Sequence, residues 1–280
     1  MAKGPRTVLT LPDGIAAHWD LPDSRPEALG GGYHNDVFRV GEVVVRIEEC
    51  EPVSAAWEHE LLAWLAPEVP EIALPLPGRD GSTFLALDRG VASVLPFVEG
   101  EPQAGLAAAE LLARVHRRGA AWPALRERPG RPSYSDLDWE RNDWWNWSIV
   151  PKPRELVRAF EHTRAWVASE PSLARTPIHG DPAQQNFLWR GGRIAGVIDW
   201  EWARVDWPAI ELAFAAWTFT EHDVRKFAHA YLSAGGPGEP ELLDEGRRLQ
   251  LLVNALYSLT RDGAGSDWVN YLLAELRELE

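Results

Sequence analysis

The stretch Pro177–Leu212 constrains the fold more than any other part of this 280-residue chain. Two short apolar runs, 187–189 and 194–198, flank a Gly191-Gly192 pair, and this pattern predicts a small β-hairpin. Polar side chains stand at both of its ends: His179, Asp181 and Asn186 before the hairpin, and Asp199 after it. Because a hairpin folds back on itself, its entry and exit are expected to be close in space.

The fold-back is expected to bring Asp181, Asn186 and Asp199 together. An amide oxygen and a carboxylate are hard-oxygen ligands of the kind that suit Mg²⁺, which keeps waters and binds substrate phosphates. A second carboxylate that is free of the metal can accept a hydroxyl proton. The alternative is a hairpin whose Asn and Asp are ordinary turn residues. A His/Asp metallohydrolase site would need more ligands than this stretch offers.

Charge and cysteine content exclude several classes of protein. Lys plus Arg number 28 and Asp plus Glu number 42, so the net charge is −14. This balance argues against nucleic-acid or anionic-membrane partners and leaves room for a cationic small molecule. Cys50 is the only cysteine, which excludes an intrachain disulfide and a multi-cysteine metal site. We find no signal-peptide pattern and no apolar run of membrane-spanning length, so we expect a cytoplasmic protein.

The first third of the chain is rich in predicted strands. A glycine cluster precedes two strands, Asp36–Val40 and Val43–Glu48, with a tight turn near Gly41. The helix predicted over 54–66 takes Ser54 as its N-cap and carries an apolar stripe. Further strands are predicted at 83–88 and 91–95.

The remainder of the chain is mainly helical. Helices are predicted over 104–118, 154–169, 206–219, 221–234, 239–261 and 266–279. A strand-rich beginning and a helical remainder indicate an α+β protein with two lobes, divided as residues 1–95, a hinge at 96–100 and residues 101–280. The run 126–131 mixes charges with Pro and Gly, and we expect an exposed loop there.

The polar positions around the hairpin resemble the signature of the aminoglycoside phosphotransferase and choline kinase-like family, relatives of the protein kinases. They read His179-Gly180-Asp181, then Asn186, then Ile198-Asp199-Trp200. The resemblance implies a two-lobed protein-kinase-like fold: an antiparallel sheet lobe with one key helix, and a larger, mainly helical lobe. It implies that Asp181 is the catalytic base and that Asn186 and Asp199 bind Mg²⁺.

The same resemblance assigns nucleotide-binding residues in the first third. A glycine loop would cover the phosphates, a strand arginine would contact them, a helix Glu would pair with that arginine, and the hinge backbone would bind adenine. The residues in these places are Gly31, Gly32, Asn35, Arg46, Glu60, Pro96, Phe97 and Val98. Protein kinases have Lys where this chain has Arg46. Taken alone, the glycines fit a simple loop, and Arg46 with Glu60 fits a surface ion pair.

Two residues are assigned to support of the catalytic loop. His179 is interpreted as an orienting residue, with a general base as the alternative. The family usually has D-L-A where this chain has Glu211-Leu212-Ala213. Because Glu is one methylene longer than Asp, this departure predicts a rearranged or lost brace of the loop.

The acceptor side is indicated by a tryptophan-rich segment at 136–147 and by the residues after Asp199. Indole faces attract amines and carboxylates pair with them. The residues assigned to acceptor binding are Trp139, Asp143, Trp144, Glu201 and Trp202. The alternative is that the indoles pack an inserted helix pair onto the helical lobe, and that the residues after Asp199 pack the end of the hairpin.

These residues predict a small-molecule kinase that transfers the γ-phosphoryl group of ATP or GTP, with Mg²⁺, to a hydroxyl. The expected acceptor is a cationic amino-alcohol or an aminosugar such as an aminoglycoside; resistance and metabolic roles both stay open. The alternative from another class is a nucleotide-binding pseudokinase with a regulatory role. A third interpretation is a kinase that acts on protein side chains. We identify no activation segment of the protein-kinase type between Asp199 and the next helix, which argues against it. We expect no nucleic-acid or membrane partner, and a monomer is the simplest expectation for the oligomeric state.

Overall fold

The computed structural model describes residues 11–29, 35–169, 173–219, 224–238, 242–263 and 266–279. Gly31 and Gly32, assigned to nucleotide binding, lie outside these ranges. The chain divides into two units. The first comprises Met1–Gln103, Arg128–Arg131 and Gln185–Ala203, and the second comprises Ala104–Glu127, Pro132–Gln184 and Arg204–Glu280. The hairpin and a short turn from the middle of the chain therefore belong to the same unit as the N-terminal strands.

The described residues contain ten strands and eight α-helices. The strands are β1 Glu27–Ala28, β2 Asp36–Val40, β3 Val43–Glu48, β4 Phe84–Ala86, β5 Val91–Pro96, β6 Glu101–Pro102, β7 Thr176–Ile178, β8 Phe187–Arg190, β9 Arg193–Val197 and β10 Arg204–Asp206. The helices are α1 Ile15–Trp19, α2 Pro52–Leu65, α3 Ala107–Ala120, α4 Arg154–Ser169, α5 Pro208–Phe219, α6 Val224–Ser233, α7 Leu243–Asp262 and α8 Asp267–Glu278. The predicted α+β organisation is confirmed. No helix in the described ranges is both long and apolar enough to cross a membrane.

The first unit is built on an antiparallel sheet in the order β1-β2-β3-β5-β4. The β-branched run of β3 lies between β2 and β5, and its Val45 is completely buried. Gly41, in the turn between β2 and β3, has φ +61°, a left-handed conformation that glycine adopts without a steric penalty. Phe38, Val45 and Ile15 of α1 share one core on this sheet. The two strands predicted at 36–40 and 43–48 are confirmed.

Helix α2 begins two residues before its predicted start. Pro52 is at the first position of the helix, where the fixed φ of proline is suitable and its missing N–H is not needed. Ser54 therefore lies inside the helix, and its predicted role as N-cap is wrong. The apolar stripe is buried as predicted and consists of Trp57, Leu61, Leu62 and Leu65.

The predicted hairpin is confirmed as β8 and β9, which form a three-stranded sheet with β6 in the order β6-β8-β9. Its turn contains Gly191 at φ +60° and Gly192 at φ +77°. Two successive positive φ values match the twist of hairpin strands and are accessible to glycine at low cost. The hairpin therefore fixes where the residues at its two ends lie.

The second unit consists of α3 to α8 and a two-stranded antiparallel ladder of β7 and β10. All six predicted helices are present, with starts shifted by at most four residues. Leu249, Leu252 and Leu256 of α7 follow the helical repeat and are completely buried. Helix α5 is apolar on nearly all sides yet contains one buried carboxylate, Glu211.

The tryptophan-rich segment packs without forming the helix pair that the packing alternative assumed. Residues 121–153, all of them described, contain no helix. Asp138 accepts a hydrogen bond from the amide of Glu140, Asn142 from the amide of Trp144, and Asn146 from the amide of Ser148. Side chains that bond the backbone two residues on favour turns over helix, which explains the difference.

Candidate active site

Asn186 and Asp199 lie at the same end of the hairpin. Asn186 immediately precedes β8, and its carbonyl accepts a hydrogen bond from the amide of Ile198 at 2.9 Å. Asp199 follows directly and has a left-handed backbone, with φ 66° and ψ 61°. The side chain of Asn186 is buried and that of Asp199 is half-buried. The structure therefore confirms that these two residues come together as the hairpin pattern predicts.

This pair of donors fits Mg²⁺. Among the described residues no cluster of three or more His, Cys, Asp or Glu side chains could hold a metal ion by itself. One carboxylate and one amide oxygen suit an ion that keeps several waters and takes its remaining ligands from substrate phosphates. The assignment of Mg²⁺ to Asn186 and Asp199 stays a prediction that this geometry supports.

Asp181 belongs to the second unit and follows β7 in a loop that Glu211 holds. One oxygen of Glu211 accepts a hydrogen bond from the amide of Gly180 at 2.7 Å, and the other accepts from the amide of His179 at 3.1 Å. Gly180 has φ +85°, a left-handed conformation that glycine adopts without a steric penalty. The expectation that the longer side chain loses the brace is wrong, because Glu211 binds both amides. A rearrangement of the brace relative to the family stays a prediction.

Glu211 is a buried anion with a nearby partner. Its Oε2 lies 2.5 Å from Nε2 of His116, a buried residue of α3. Nδ1 of His116 lies 2.7 Å from the hydroxyl of Tyr231, which donates to the carbonyl of Pro237. Burial alone would raise the pKa of Glu211, but the hydrogen bond and charge of His116 outweigh it and the pKa is lowered. The loop that contains Asp181 is thus held by an ionised carboxylate.

His179 is completely buried, and its Nδ1 accepts a hydrogen bond from the amide of Asp181 at 3.3 Å. Asp181 itself is half-buried. This arrangement supports the interpretation of His179 as a residue that orients the loop, since a general base needs access to substrate. The role of Asp181 as catalytic base stays a prediction.

Arg46 is paired with a different carboxylate from the one predicted. Its Nη2 donates to Oε1 of Glu58 at 2.5 Å and lies 3.3 Å from Oε2 of Glu48. Glu60, the predicted partner, lies on the exposed face of α2. Glu58 shares the buried face because it is separated from Leu61 and Leu62 by three and four residues, which is about one helical turn. The prediction that Glu60 pairs with Arg46 is wrong.

The charges around Arg46 keep it fully ionised. Burial alone would lower the pKa of Arg46, but the Glu58 and Glu48 carboxylates outweigh it and raise the pKa above its usual range. The pKa of Glu58 is lowered, because Arg46 and Arg128 outweigh the effect of burial. A fixed, fully charged guanidinium suits contact with phosphate.

Arg128 is a functional candidate that the sequence analysis missed. The run 126–131 was expected to be an exposed loop, yet Arg128 is only 2% exposed. Its guanidinium donates to Oε2 of Glu58 at 2.8 Å and to the carbonyls of the turn that follows Asp199. The available signal was the Pro129-Gly130 pair, which predicts a tight turn but not where the flanking side chains go.

Glu201 is buried beside Asp199 rather than presented to solvent. It is 5% exposed, and its Oε2 accepts a hydrogen bond from Nδ2 of Asn35 at 2.5 Å. Burial, and next the charge of Asp199, raise the pKa of Glu201 to about 7. The structure thus brings together Asn35, from the nucleotide-binding set, and Glu201, from the acceptor-binding set. The roles of both residues stay predictions.

The other predicted acceptor residues differ in exposure. Trp139 is 7% exposed, packs in the core of the second unit and donates its indole N–H to the carbonyl of Tyr134. This placement favours the packing alternative for Trp139. Asp143 is exposed and Trp144 is half-buried. Trp202 is half-buried, with the guanidinium of Arg131 at 4.7 Å from its ring. Acceptor binding stays a prediction for Asp143, Trp144 and Trp202.

The predicted hinge residues lie at the end of β5 and directly after it. Pro96 pairs with Val43 at the end of β5, and the amide of Phe97 donates to the carbonyl of Glu42 at 2.9 Å. The guanidinium of Arg39 lies 3.8 Å from the ring centroid of Phe97. Val98 packs closely on Gly196, because a Cβ added at position 196 would lie 2.6 Å from Cγ1 of Val98. Adenine binding by Pro96, Phe97 and Val98 stays a prediction.

Comparison with known proteins gives the family of this chain. The profile of the family APH, described as "Phosphotransferase enzyme family", matches residues 26–247. A homoserine kinase of Gluconobacter oxydans is 25% identical over 239 residues, which is 76% of this chain and 71% of that protein. A homoserine kinase of Bradyrhizobium diazoefficiens is 28% identical over 234 residues, 75% of this chain and 67% of that protein.

Two solved structures show that the fold is shared. The amicoumacin kinase hAmiN, in complex with AMP-PNP, Ca²⁺ and Ami, aligns at a TM-score of 0.75 with 11% identity over 94% of this chain and 90% of that chain. A microcompartment-associated aminopropanol kinase aligns at a TM-score of 0.71 with 19% identity over 94% and 92%. The predicted protein-kinase-like fold is confirmed. The chain belongs to the phosphotransferase enzyme family APH and is a small-molecule kinase that phosphorylates a hydroxyl group.

Proposed function

We propose that this kinase transfers the γ-phosphoryl group of ATP to the hydroxyl of a small acceptor that also carries an ammonium group. The observation that carries the proposal is the hairpin, which brings Asn186 and Asp199 to one end as a donor pair suited to Mg²⁺. The relatives named homoserine kinase and the neighbour named aminopropanol kinase favour small amino-containing alcohols as acceptors. The net charge of −14 is consistent with a cationic substrate.

In this proposal the residues of the chain have separate tasks. The acceptor oxygen forms a bond to the γ-phosphorus, the bond from that phosphorus to the β–γ bridging oxygen breaks, and Asp181 takes the hydroxyl proton. Asn186 and Asp199 would hold Mg²⁺, which when bound neutralises charge on the phosphates. Arg46, fixed by Glu58, contacts the phosphates. Catalysis is then mainly positioning and electrostatic stabilisation.

Two departures from the family pattern, at Arg46 and Glu211, could indicate an inactive pseudokinase, but the contacts of both residues argue against one. Arg46 replaces the usual lysine but has a buried carboxylate partner, and Glu211 replaces the usual aspartate but binds both loop amides. A second acceptor class, larger aminosugars, has the support of the chain's acidic charge and is included in the test.

The test is ADP release from the purified protein with Mg²⁺ and either ATP or GTP. The acceptor panel contains homoserine, aminopropanol, ethanolamine, choline and kanamycin. We expect ADP release that depends on a small amino-alcohol and that falls by about 10³-fold in Asp181→Asn, while the variant still binds AMP-PNP. Acceptor-dependent turnover that survives in Asp181→Asn would contradict the assignment of the base. If kanamycin supported turnover and the small amino-alcohols did not, the acceptor class would be the larger aminosugars and the proposed class would be wrong.

A further inference from the structure

Arg128 is delivered into the first unit by a tight turn, Arg128-Pro129-Gly130-Arg131. The amide of Arg131 donates to the carbonyl of Arg128 at 3.1 Å, and Gly130 has φ +76°. Proline at the second position and a left-handed glycine at the third are the marks of a type II turn. The turn therefore has a fixed conformation, and the side chain of Arg128 is completely buried.

One side of the guanidinium collects main-chain oxygens. Nη1 of Arg128 donates to the carbonyls of Trp200 at 3.0 Å, Glu201 at 3.1 Å and Ala203 at 3.1 Å. These residues form the short turn that follows Asp199, whose left-handed backbone is unusual for a residue other than glycine. A cation that draws these carbonyls together stabilises the turn that sets the direction of the Asp199 side chain.

The other side of the guanidinium holds helix α2. Nε of Arg128 donates to Oγ of Ser54 at 3.0 Å, and Nη2 donates to Oε2 of Glu58 at 2.8 Å. The second oxygen of Glu58 accepts from Nη2 of Arg46. The chain of contacts therefore runs from Arg46 through Glu58 to Arg128, and from Arg128 to the backbone behind Asp199.

We propose that Arg128 is a positioning residue that fixes Arg46 and Asp199 relative to each other. This inference rests on the proposed function, in which Arg46 contacts phosphate and Asp199 binds Mg²⁺. A planar guanidinium has donors in a fixed fork and reaches a carboxylate, a hydroxyl and several carbonyls at once, whereas a lysine ammonium is a single point of contact. Both groups that Arg128 positions act on the metal–nucleotide, so its loss affects that substrate and not the acceptor.

The test compares Arg128→Lys and Arg128→Met with the wild-type chain. The control is Arg247→Met, which removes a half-buried arginine that pairs with Glu275 in the second unit. Each protein is assayed well below its own unfolding midpoint, with kcat and KM measured separately for ATP and for the acceptor, at several Mg²⁺ concentrations. Titration calorimetry with Mg²⁺ and AMP-PNP measures binding without turnover.

We expect both Arg128 variants to raise KM for ATP and the Mg²⁺ requirement and to lower kcat/KM for ATP by about 10²-fold. KM for the acceptor should not change, and Arg247→Met should resemble wild type. A role in stability alone would reduce the active fraction, which lowers kcat and leaves both KM values unaltered. Unchanged KM for ATP and unchanged affinity for Mg²⁺ with AMP-PNP in Arg128→Lys would overturn the inference.

The same experiment separates this inference from the proposed function. A wild-type chain that binds no AMP-PNP with Mg²⁺ and releases no ADP would overturn the proposed function, and the inference with it. A wild-type chain that binds the nucleotide and shows turnover, with Arg128 variants equal to Arg247→Met, would overturn the inference alone.

Discussion

Two loops of the candidate site are held by buried ions of opposite charge. The turn after Asp199, in the first unit, is held by the cation Arg128 through three carbonyls. The loop that contains Asp181, in the second unit, is held by the anion Glu211 through two amides. Each ion has a buried partner, Glu58 for the arginine and the His116 imidazole for the glutamate.

The difference shows that the backbone decides the sign of the brace. The amides of His179 and Gly180 converge on one carboxylate, and converging amides bind an anion. The short turn at 200–203 instead directs its carbonyls toward one point, and converging carbonyls bind a cation. Buried polar backbone groups without partners are costly, so converging amides need a buried acceptor and converging carbonyls need a buried donor, and in this chain both partners are ions.

The largest expected effect comes from removing the counterion of Arg128. Glu58→Gln removes the carboxylate to which both buried guanidiniums, Arg46 and Arg128, donate hydrogen bonds, and we expect a loss of about 4 kcal/mol in the free energy of unfolding. Glu60→Gln, on the exposed face of the same helix, is the matched control and should change stability by less than about 0.5 kcal/mol. Urea unfolding followed by tryptophan fluorescence measures both. Equal midpoints for the two variants would contradict the assignment of Glu58.

Removing the anion of the second brace should have a slightly smaller effect. In Glu211→Gln an amide NH₂ meets the loop amides, donor against donor, and His116 loses its carboxylate partner. We expect a loss of about 3 kcal/mol. Glu211→Asp keeps the charge, so it should recover part of this stability and most of kcat. If the Asp variant were less stable than the Gln variant, charge would not be what holds this loop.

Lowering the pH should reduce the free energy of unfolding through His59, a buried histidine of helix α2. His59 contacts the hydroxyls of Thr83 and Ser93, and burial lowers its pKa to about 4, outweighing the opposite effect of Glu58. The folded chain then binds fewer protons than the unfolded chain between pH 6.5 and 4. The free energy of unfolding should therefore decrease as the pH is lowered through that window, by about 2 kcal/mol from pH 6.5 to pH 5.

The histidine contribution is isolated by a variant that does not titrate. His59→Gln should lose less stability than wild type over the same window, because no proton is taken up at this position on unfolding. Thermal unfolding at several pH values between 7 and 5 gives both curves. Parallel curves would mean that His59 does not carry the acid sensitivity.

The smallest expected effect tests the turn that delivers Arg128. A Cβ at Gly130 meets no atom within 4 Å, so only its φ of +76° opposes a side chain. Gly130→Ala should cost about 1 kcal/mol, and Gly130→Asn less, because Asn tolerates the left-handed region. Chemical unfolding of the three proteins gives the order. An alanine variant as stable as wild type would show that the turn is not fixed in this conformation.

Much of the fold could be predicted because its signals are local. The β-branched run of β3, the Gly191-Gly192 turn and the repeat of apolar residues in each long helix depend on neighbours in sequence. The tryptophan-rich segment could not be predicted in the same way. Its Asp138, Asn142 and Asn146 each accept a hydrogen bond from an amide two residues on, and these local bonds compete with helix formation.

The site shows the same division between local and distant signals. A hairpin necessarily returns to its starting point, so the meeting of Asn186 and Asp199 follows from the turn between them. The choice of Glu58 over Glu60 depends on which face of α2 is buried. The burial of Arg128 depends on carbonyls more than seventy positions away in the chain, and no pattern around residue 128 encodes them.

Both braces bind main-chain atoms, and this has a consequence for how the protein can evolve. A carbonyl oxygen is present whatever the side chain, so residues 201 and 202 can be exchanged without removing an acceptor of Arg128. Drift at these positions can alter the side chains beside Asp199 while the anchor of the turn persists. The atoms that hold the turn are therefore different from the side chains that can contact a substrate. Substitutions that change substrate preference can accumulate at these positions without removing the hydrogen bonds that hold the turn.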